Sequence, residues 1–131
     1  MAQKEIELIL LRQCASHMAM PIWVMGLDSE LLYFNEAAEP ILGGRFDEVG
    51  TITGQELSEK FFTTDEDGLP LESSELPINI ALTKRKPAHR PMRIQGLDGI
   101  LRMIEVTAFP IMGHGGEHLG AIAIFWESES E

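Results

Sequence analysis

The spacing of histidine and glutamate in one short segment matches a metal-binding pattern. "HGGEH", residues 114–118, has the spacing of the H-x-x-E-H zinc motif. That chemistry needs a helix to bring both histidines to one face, whereas two central glycines between β-patterned segments favour a hairpin turn. We therefore predict no zinc catalysis here, and no more than adventitious metal binding at an exposed turn.

A second segment resembles a calcium loop. In "TTDEDGLPLESS", residues 63–74, Asp65, Asp67 and Gly68 have suitable relative positions. Thr63 stands where the first carboxylate should be and Ser74 where the bidentate glutamate should be, so the segment predicts a solvated turn. The chain also lacks a nucleophile elbow, a phosphate loop and a dinucleotide fingerprint. The sequence therefore predicts no metal site and no enzyme.

Composition bounds the class of protein. The 131 residues are 44% hydrophobic, which suits one compact domain with its own core. No apolar run approaches the roughly 20 residues needed to cross a bilayer, and the N-terminus lacks the pattern of a signal peptide. The single Cys14 permits no internal disulfide. We expect a soluble, cytoplasmic protein with no membrane partner.

The net charge of −11 argues against a nucleic-acid partner, because it would repel a phosphate backbone. Half of the basic residues nevertheless cluster within ten positions: Lys84, Arg85, Lys86, Arg90 and Arg93. Charge that complements a helix C-terminus, followed by a solvated strand edge, accounts for this cluster. An anionic ligand or an acidic partner is the alternative.

The first element that the pattern predicts is an amphipathic helix over residues 1–19. Its apolar positions recur at a helical period, at Leu8, Leu11, Cys14, Ala15 and Met18. Ile9 and Leu10 widen the apolar arc beyond one stripe. We therefore expect the helix to have two surfaces to cover, one on its own domain and one on a second copy.

A hairpin and short helices should follow. "PIWVMG" and "LLYFN" predict two strands joined by a polar turn, with Asn35 as the N-cap of a stub helix that ends at Gly43. Thr53 and Glu56 have the spacing of a capping box. Ser73 or Ser74 can cap the next helix.

From Pro87 onward the apolar period changes to two. Met92 and Ile94 alternate with polar neighbours, and "LDG" marks a tight turn into the long strand "ILRMIEVTAFPI". The final strand, "LGAIAIFWE", is apolar on both faces, which predicts a central position in the sheet.

The ordered set of elements resembles the PAS domain family over residues 20–127. The resemblance lies in "LLYFNEAAEPILG", in the helix segment "SSELPINIALTKRKP" and in "GLDGILRMIEVTAFPI" with its turn and its proline. It implies an α+β fold, a five-stranded antiparallel sheet with short helices on one face. The N-terminal helix would precede this domain, and residues 128–131 would form an acidic tail.

The resemblance also implies a non-catalytic sensor that passes a change to an output domain or partner. The chain lacks the reactive Cys of light-sensing flavin members, and residues 73–86 contain no axial His for haem. His89 follows in the next strand, where a solvated or hydrogen-bonded histidine is expected. The cofactor is therefore unknown, with a haem-binding gas or redox sensor as the lesser alternative and a structural dimerisation module with a filled core as the main one.

A small, mainly apolar ligand would lie between the helices and the inner sheet face, because ligand sites have apolar walls with few polar groups. The wall residues that we predict are Tyr33, Leu76, Ile80, Met92, Ile94, Ile104 and Val106. Trp23 and Trp126 could line such a cavity or cover a sheet face, and the continuous apolar run around Trp23 leaves this open.

A homodimer is expected through the N-terminal helix and the outer face of the sheet. "LGAIAIFW", with Met103 and Phe109 on the neighbouring strand, presents more apolar surface than the core of one domain can cover. A two-fold contact is the commonest remedy. The alternative is a helix that folds back over its own sheet.

Overall fold

A five-stranded antiparallel sheet forms the frame of the molecule. The computed structural model describes residues 19–45, 49 and 52–128. The strands are β1 (Ile22–Gly26), β2 (Leu31–Phe34), β3 (Ala88–Gln95), β4 (Leu101–Met112) and β5 (His118–Glu127), in the order β2-β1-β5-β4-β3. The doubly apolar strand β5 is central, as its sequence predicts, and the α+β fold is confirmed.

Short helices occupy the connection between β2 and β3. They are α1 (Glu39–Leu42), α2 (Gly54–Lys60) and α3 (Pro77–Lys84), with single 3₁₀ turns at Glu36–Ala38 and Ser73–Glu75. The capping box of α2 is confirmed: the Glu56 N–H donates to Thr53 Oγ1 (3.3 Å), and the Thr53 N–H donates to Glu56 Oε1 (2.9 Å). Gly43 ends α1 in the left-handed region at φ +79°, also as predicted.

Strand register divides the sheet into two faces, because directly paired residues point to the same side. Trp23 pairs with Phe34 and with Ala123, and all three belong to the main core on the helical side. Val24 follows Trp23 in β1 and therefore points to the opposite face, as does its partner Tyr33. We call this the outer face. The core is enclosed between the inner face and the helices, with α3 packed against β4 and β5.

Asn35 has a different role from the predicted N-cap. Its side chain makes no capping bond to the 3₁₀ turn that follows. Instead its Oδ1 accepts from the Ile22 N–H (3.0 Å), and its Nδ2 donates to the Met20 carbonyl (2.8 Å). Asn35 is almost fully buried, so its amide needs hydrogen-bond partners in the interior, and the backbone around β1 provides them. The residue thereby holds the chain where it enters β1.

The predicted serine cap of the third helix is wrong as well. α3 begins at Pro77, Leu76 occupies the N-cap position in extended backbone, and no side chain caps the helix. Pro77 sets this boundary, because proline disfavours helical backbone in the residue before it and is itself well placed at the first helical position. Asn79 Nδ2 donates to the Ser73 carbonyl (2.8 Å) and ties the preceding turn to α3.

Some predicted segments lie outside the described residues. The expected N-terminal helix falls there except for its last position, as does the acidic tail beyond Ser128. Within the part of the chain that the structure describes, no helix is long and apolar enough to cross a membrane.

Candidate ligand-binding cavity

A small cavity lies between the helices and the inner face of the sheet. Its volume is about 60 Å³. Strands, α2, α3 and the segment between these helices all contribute to its wall. The lining residues are Trp23, Leu42, Leu57, Phe61, Thr63, Leu76, Pro77, Ile78, Met92, Ile94, Ile104, Val106, Ala123 and Phe125.

An aromatic cluster fixes one side of the cavity. The ring of Trp23 stacks on Phe34 with centroids 5.5 Å apart, and it meets Phe61 edge-on at 5.9 Å. Both arrangements are favoured by the quadrupoles of the rings. The indole is therefore held from two sides, by a strand and by the residue that follows α2.

Two polar atoms are buried at this wall without a partner. Trp23 and Thr63 are 4% and 3% exposed, and neither Trp23 Nε1 nor Thr63 Oγ1 has a hydrogen-bond partner among the described residues. The backbone of Thr63 is well anchored, because its carbonyl accepts from the Leu71 N–H (3.1 Å). The next residue, Thr64, exchanges two backbone bonds with Arg93 on β3 (3.0 and 2.9 Å). Local backbone structure thus holds Thr63 in the wall.

Five of the seven predicted wall residues line the cavity. They are Leu76, Met92, Ile94, Ile104 and Val106, brought together by the N-cap of α3 and the inward faces of β3 and β4. Their period-two pattern in the sequence was sufficient to place four of them. Whether they bind a ligand stays a prediction.

The other two predicted wall residues, Tyr33 and Ile80, do not line the cavity. Tyr33 lies on the outer face of the sheet, where it packs against Val24 and its neighbours. Leu76 and Ile80 have the spacing of one helical face, but Leu76 precedes α3 in extended backbone and does not share its helical period. The helix instead buries Ile78, Ala81 and Leu82, and Ile80 is only half-buried.

Several wall residues were not predicted. Trp23 sits in a run that is apolar on both sides, so alternation gives no face. Phe61 follows the predicted α2 and could have been found as an apolar residue at a helix end. Thr63 carries no signal, because it begins a polar turn and its burial comes from packing against distant strands.

A polar junction outside the cavity anchors α1. Arg102 on β4 donates from Nη1 to the Ile41 carbonyl (2.9 Å) and from Nη2 to Asp98 Oδ2 (3.0 Å). The hydrogen bond from Arg102, assisted by the Ile100 N–H, holds the pKa of Asp98 below its ordinary value. The Leu97 N–H adds a bond to the carbonyl of Leu42, which lines the cavity (2.8 Å).

The residues that suggested metal chemistry form ordinary turns. "HGGEH" makes the connection from β4 to β5, where Gly115 and Gly116 have φ values of +77° and +81°. In the calcium-like segment, Asp65 Oδ1 accepts from the Asp67 and Leu69 N–H groups (2.9 and 3.0 Å). Among the described residues, no three His, Cys, Asp or Glu side chains are grouped closely enough to hold a metal ion.

The outer face carries a second apolar cluster. Ile22, Val24 and Ile122 are buried there, with Tyr33, Ile111 and Ile124 packed against them. Phe109 and Trp126, on the same face, remain 39% and 37% exposed.

The histidine weighed as an iron ligand also lies on the outer face. His89 Nε2 lies 3.0 Å from Glu105 Oε1, and its ring centroid is 6.3 Å from that of Trp126. His89 is therefore hydrogen-bonded, as predicted, and it does not line the cavity. The open question about the two tryptophans is also resolved: Trp23 lines the cavity, and Trp126 covers the outer face.

The chain matches the model of one family. A model of the PAS fold matches residues 10–126, which is most of the chain. This chain belongs to the PAS family. Among curated protein sequences, none matches the chain significantly.

Solved PAS structures share this architecture at low sequence identity. The PAS domain of Bordetella pertussis BvgS aligns with a TM-score of 0.64 at 18% identity, covering 95% of this chain and 88% of that one. The Rhodobacter sphaeroides LOV protein gives 0.71 at 15% identity, covering 97% and 69%. The PAS domain of nitrogen regulation protein NR(II) from Vibrio parahaemolyticus gives 0.61 at 18% identity, covering 91% and 98%. PAS domains are generally sensory and signalling modules, and this is the class in which the present chain falls.

Proposed function

We propose that this PAS domain is a non-catalytic sensor that binds a small, mainly apolar organic molecule in its central cavity. The observation that carries this proposal is the cavity itself, whose lining side chains are apolar or aromatic except for that of Thr63. Apolar walls with a few placed polar groups are the usual composition of a ligand site.

The strands offer a route from the cavity to the outer face. On β5, Ala123 and Phe125 line the cavity, while Ile124 and Trp126 alternate with them on the outer side. A ligand that displaces β5 from within would therefore move the outer surface as well. The change would pass to an output domain or a partner protein.

We further propose that the outer face pairs with a second copy of the chain. Exposed Phe109 and Trp126 extend the apolar cluster around Val24, and contiguous apolar surface of this kind often marks an interaction site. The test is light scattering at micromolar concentration. Phe109→Glu should convert a dimer to a monomer, whereas Phe62→Glu, which changes an exposed phenylalanine after α2, should leave the dimer intact. A wild-type monomer would refute the pairing.

A structural dimerisation module with a filled core is the second candidate. The cavity volume favours it, because about 60 Å³ is far below the several hundred Å³ typical of drug-sized ligand pockets. Native mass spectrometry after gentle purification separates the two functions. An added mass that is released on denaturation supports the sensor, and the bare chain mass together with no binding of small compounds supports the structural module.

The same purified protein also tests for haem. A Soret band in its absorption spectrum would show that the bound group is haem and not the proposed apolar molecule. Because His89 lies on the outer face, we expect no such band.

A further inference from the structure

We propose that the cavity binds a short hydrocarbon of about two to four carbon atoms and rejects molecules of the same size that carry a hydrogen-bonding group. This inference rests on the proposed ligand-binding function and narrows it to a chemical class. Three properties of the cavity support it: the surface that it exposes, its volume and the polarisability of its wall.

The surface that faces the cavity is wholly apolar. Two lining residues, Trp23 and Thr63, carry polar side-chain atoms, but neither the indole Nε1 nor the hydroxyl Oγ1 is accessible. A hydroxyl, carbonyl or amine of a ligand would therefore lose its hydrogen bonds to water on entering the cavity and would gain none. None of the lining side chains is charged, so an ion would also lack a counter-charge. Polar and charged molecules should be excluded.

The volume limits the size of the ligand. An apolar cavity of about 150 Å³ holds one benzene molecule. The volume of about 60 Å³ found here is less than half of that, which corresponds to about two or three carbon atoms. A count of roughly 10–15 Å³ for each water-sized group gives at least about four. Hydrocarbons from ethane to butane therefore fill the cavity, whereas a six-membered ring does not fit.

Water is a poor competitor for this space. An ordered buried water needs about two to four polar partners, and the surface of the wall presents none. A hydrocarbon instead makes dispersion contacts, to which the rings of Phe61 and Phe125 and the polarisable thioether of Met92 contribute. The wall therefore favours a non-polar molecule over water as well as over polar compounds.

Three compounds test the inference on the full-length protein. Propane and ethanol have the same number of non-hydrogen atoms, but only ethanol carries a hydroxyl, and benzene exceeds the size limit. Binding is followed by NMR through ¹³C-labelled methyl groups. Met92, Ile94 and Ile104 report from the wall of the cavity, while Val24 and Ile122 on the outer face give the reference signals.

We expect propane to shift the methyl signals of the wall saturably and to leave the reference signals unchanged. Ethanol should bind at least about tenfold more weakly than propane, because its hydroxyl would be buried without a partner. Benzene should give no saturable shift of the wall signals, because the cavity is too small for it.

A matched pair of variants locates the bound propane. Ala123→Val should weaken propane binding by about tenfold, because its two added methyl groups occupy the space that the ligand needs. Ala108→Val adds the same groups at a buried position that does not line the cavity, so it should keep the wild-type affinity.

If ethanol or benzene binds as tightly as propane, the inference is overturned while the ligand-binding function stays intact. If none of the three compounds shifts the wall signals, the cavity is not a ligand site, and the inference and the proposed function both fail. An affinity for propane that Ala123→Val leaves unchanged would place the ligand elsewhere and would also overturn the inference. Propane and ethanol are compared on the wild-type protein, so the test stays decisive even if a variant does not fold.

Discussion

Three alanines lie side by side across the inner face of the sheet, and only one of them lines the cavity. Ala88, Ala108 and Ala123 are in register on β3, β4 and β5, and the row continues to Trp23 on β1. Ala123 lines the cavity, whereas Ala108 is fully buried and does not. Replacing Ala123 or Ala108 by valine, one at a time, should therefore have opposite effects on the free energy of unfolding.

The expected magnitudes follow from the contents of each site. Valine adds two methyl groups, and each buried methyl or methylene contributes about 0.8 kcal/mol. Ala123→Val should therefore raise the free energy of unfolding by up to about 1.5 kcal/mol, because the cavity receives the methyls. Ala108→Val places them in closely packed core, and overpacking costs about 1–3 kcal/mol.

Urea and thermal denaturation followed by circular dichroism measure the difference directly. The midpoint temperatures of the two variants should be separated by on the order of 10 °C in a domain of this size. A compound that binds in the cavity should also lose affinity for Ala123→Val. If both variants are destabilised to the same extent, the space beside Ala123 is not a usable cavity, and the reasoning is refuted.

Three further changes test other parts of the structure. Thr63→Val should raise the free energy of unfolding by about 1 kcal/mol in urea titrations, because it removes an unpartnered buried hydroxyl. The control is Thr83→Val, which removes a hydroxyl that donates to the Asn79 carbonyl within α3 (2.8 Å) and should give no gain. Asp98→Asn should destabilise the protein at neutral pH. The lowered pKa of Asp98 means that its ion pair with Arg102 contributes fully above the unfolded pKa and is lost as pH falls through the folded value, so wild type and variant should converge in acid denaturation series. Asn35→Asp should cost about 1–3 kcal/mol in the same measurement, because a carboxylate cannot donate to the carbonyl that precedes β1; a variant as stable as wild type would contradict the role of the amide.

The alternating half of the chain was predictable from the sequence. β3 and β4 each have one buried face, so period two identifies Met92, Ile94, Ile104 and Val106 directly. Local chemistry likewise predicted the αL residue at Gly43. In these places one short-range signal is enough to determine the structure.

The remaining parts of the site depend on contacts between distant residues. β1 is apolar on both faces, and a bulge between Val24 and Met25 shifts its register against β2, so the sequence did not place Trp23 inside or Tyr33 outside. The partners of Asn35 lie 13 and 15 residues away, beyond the reach of capping rules. Thr63 is buried only because its segment packs along β3.

Both border strands of the sheet have part of their outer backbone already hydrogen-bonded. At β2 the Leu31 N–H donates to the Ile52 carbonyl (2.9 Å), and at β3 the Gln95 N–H donates to the Phe61 carbonyl (2.7 Å). An unpaired border strand is a template for strand addition and aggregation, and chain segments that cover it block that route. These contacts oppose the side-by-side joining of two such sheets into a growing ribbon.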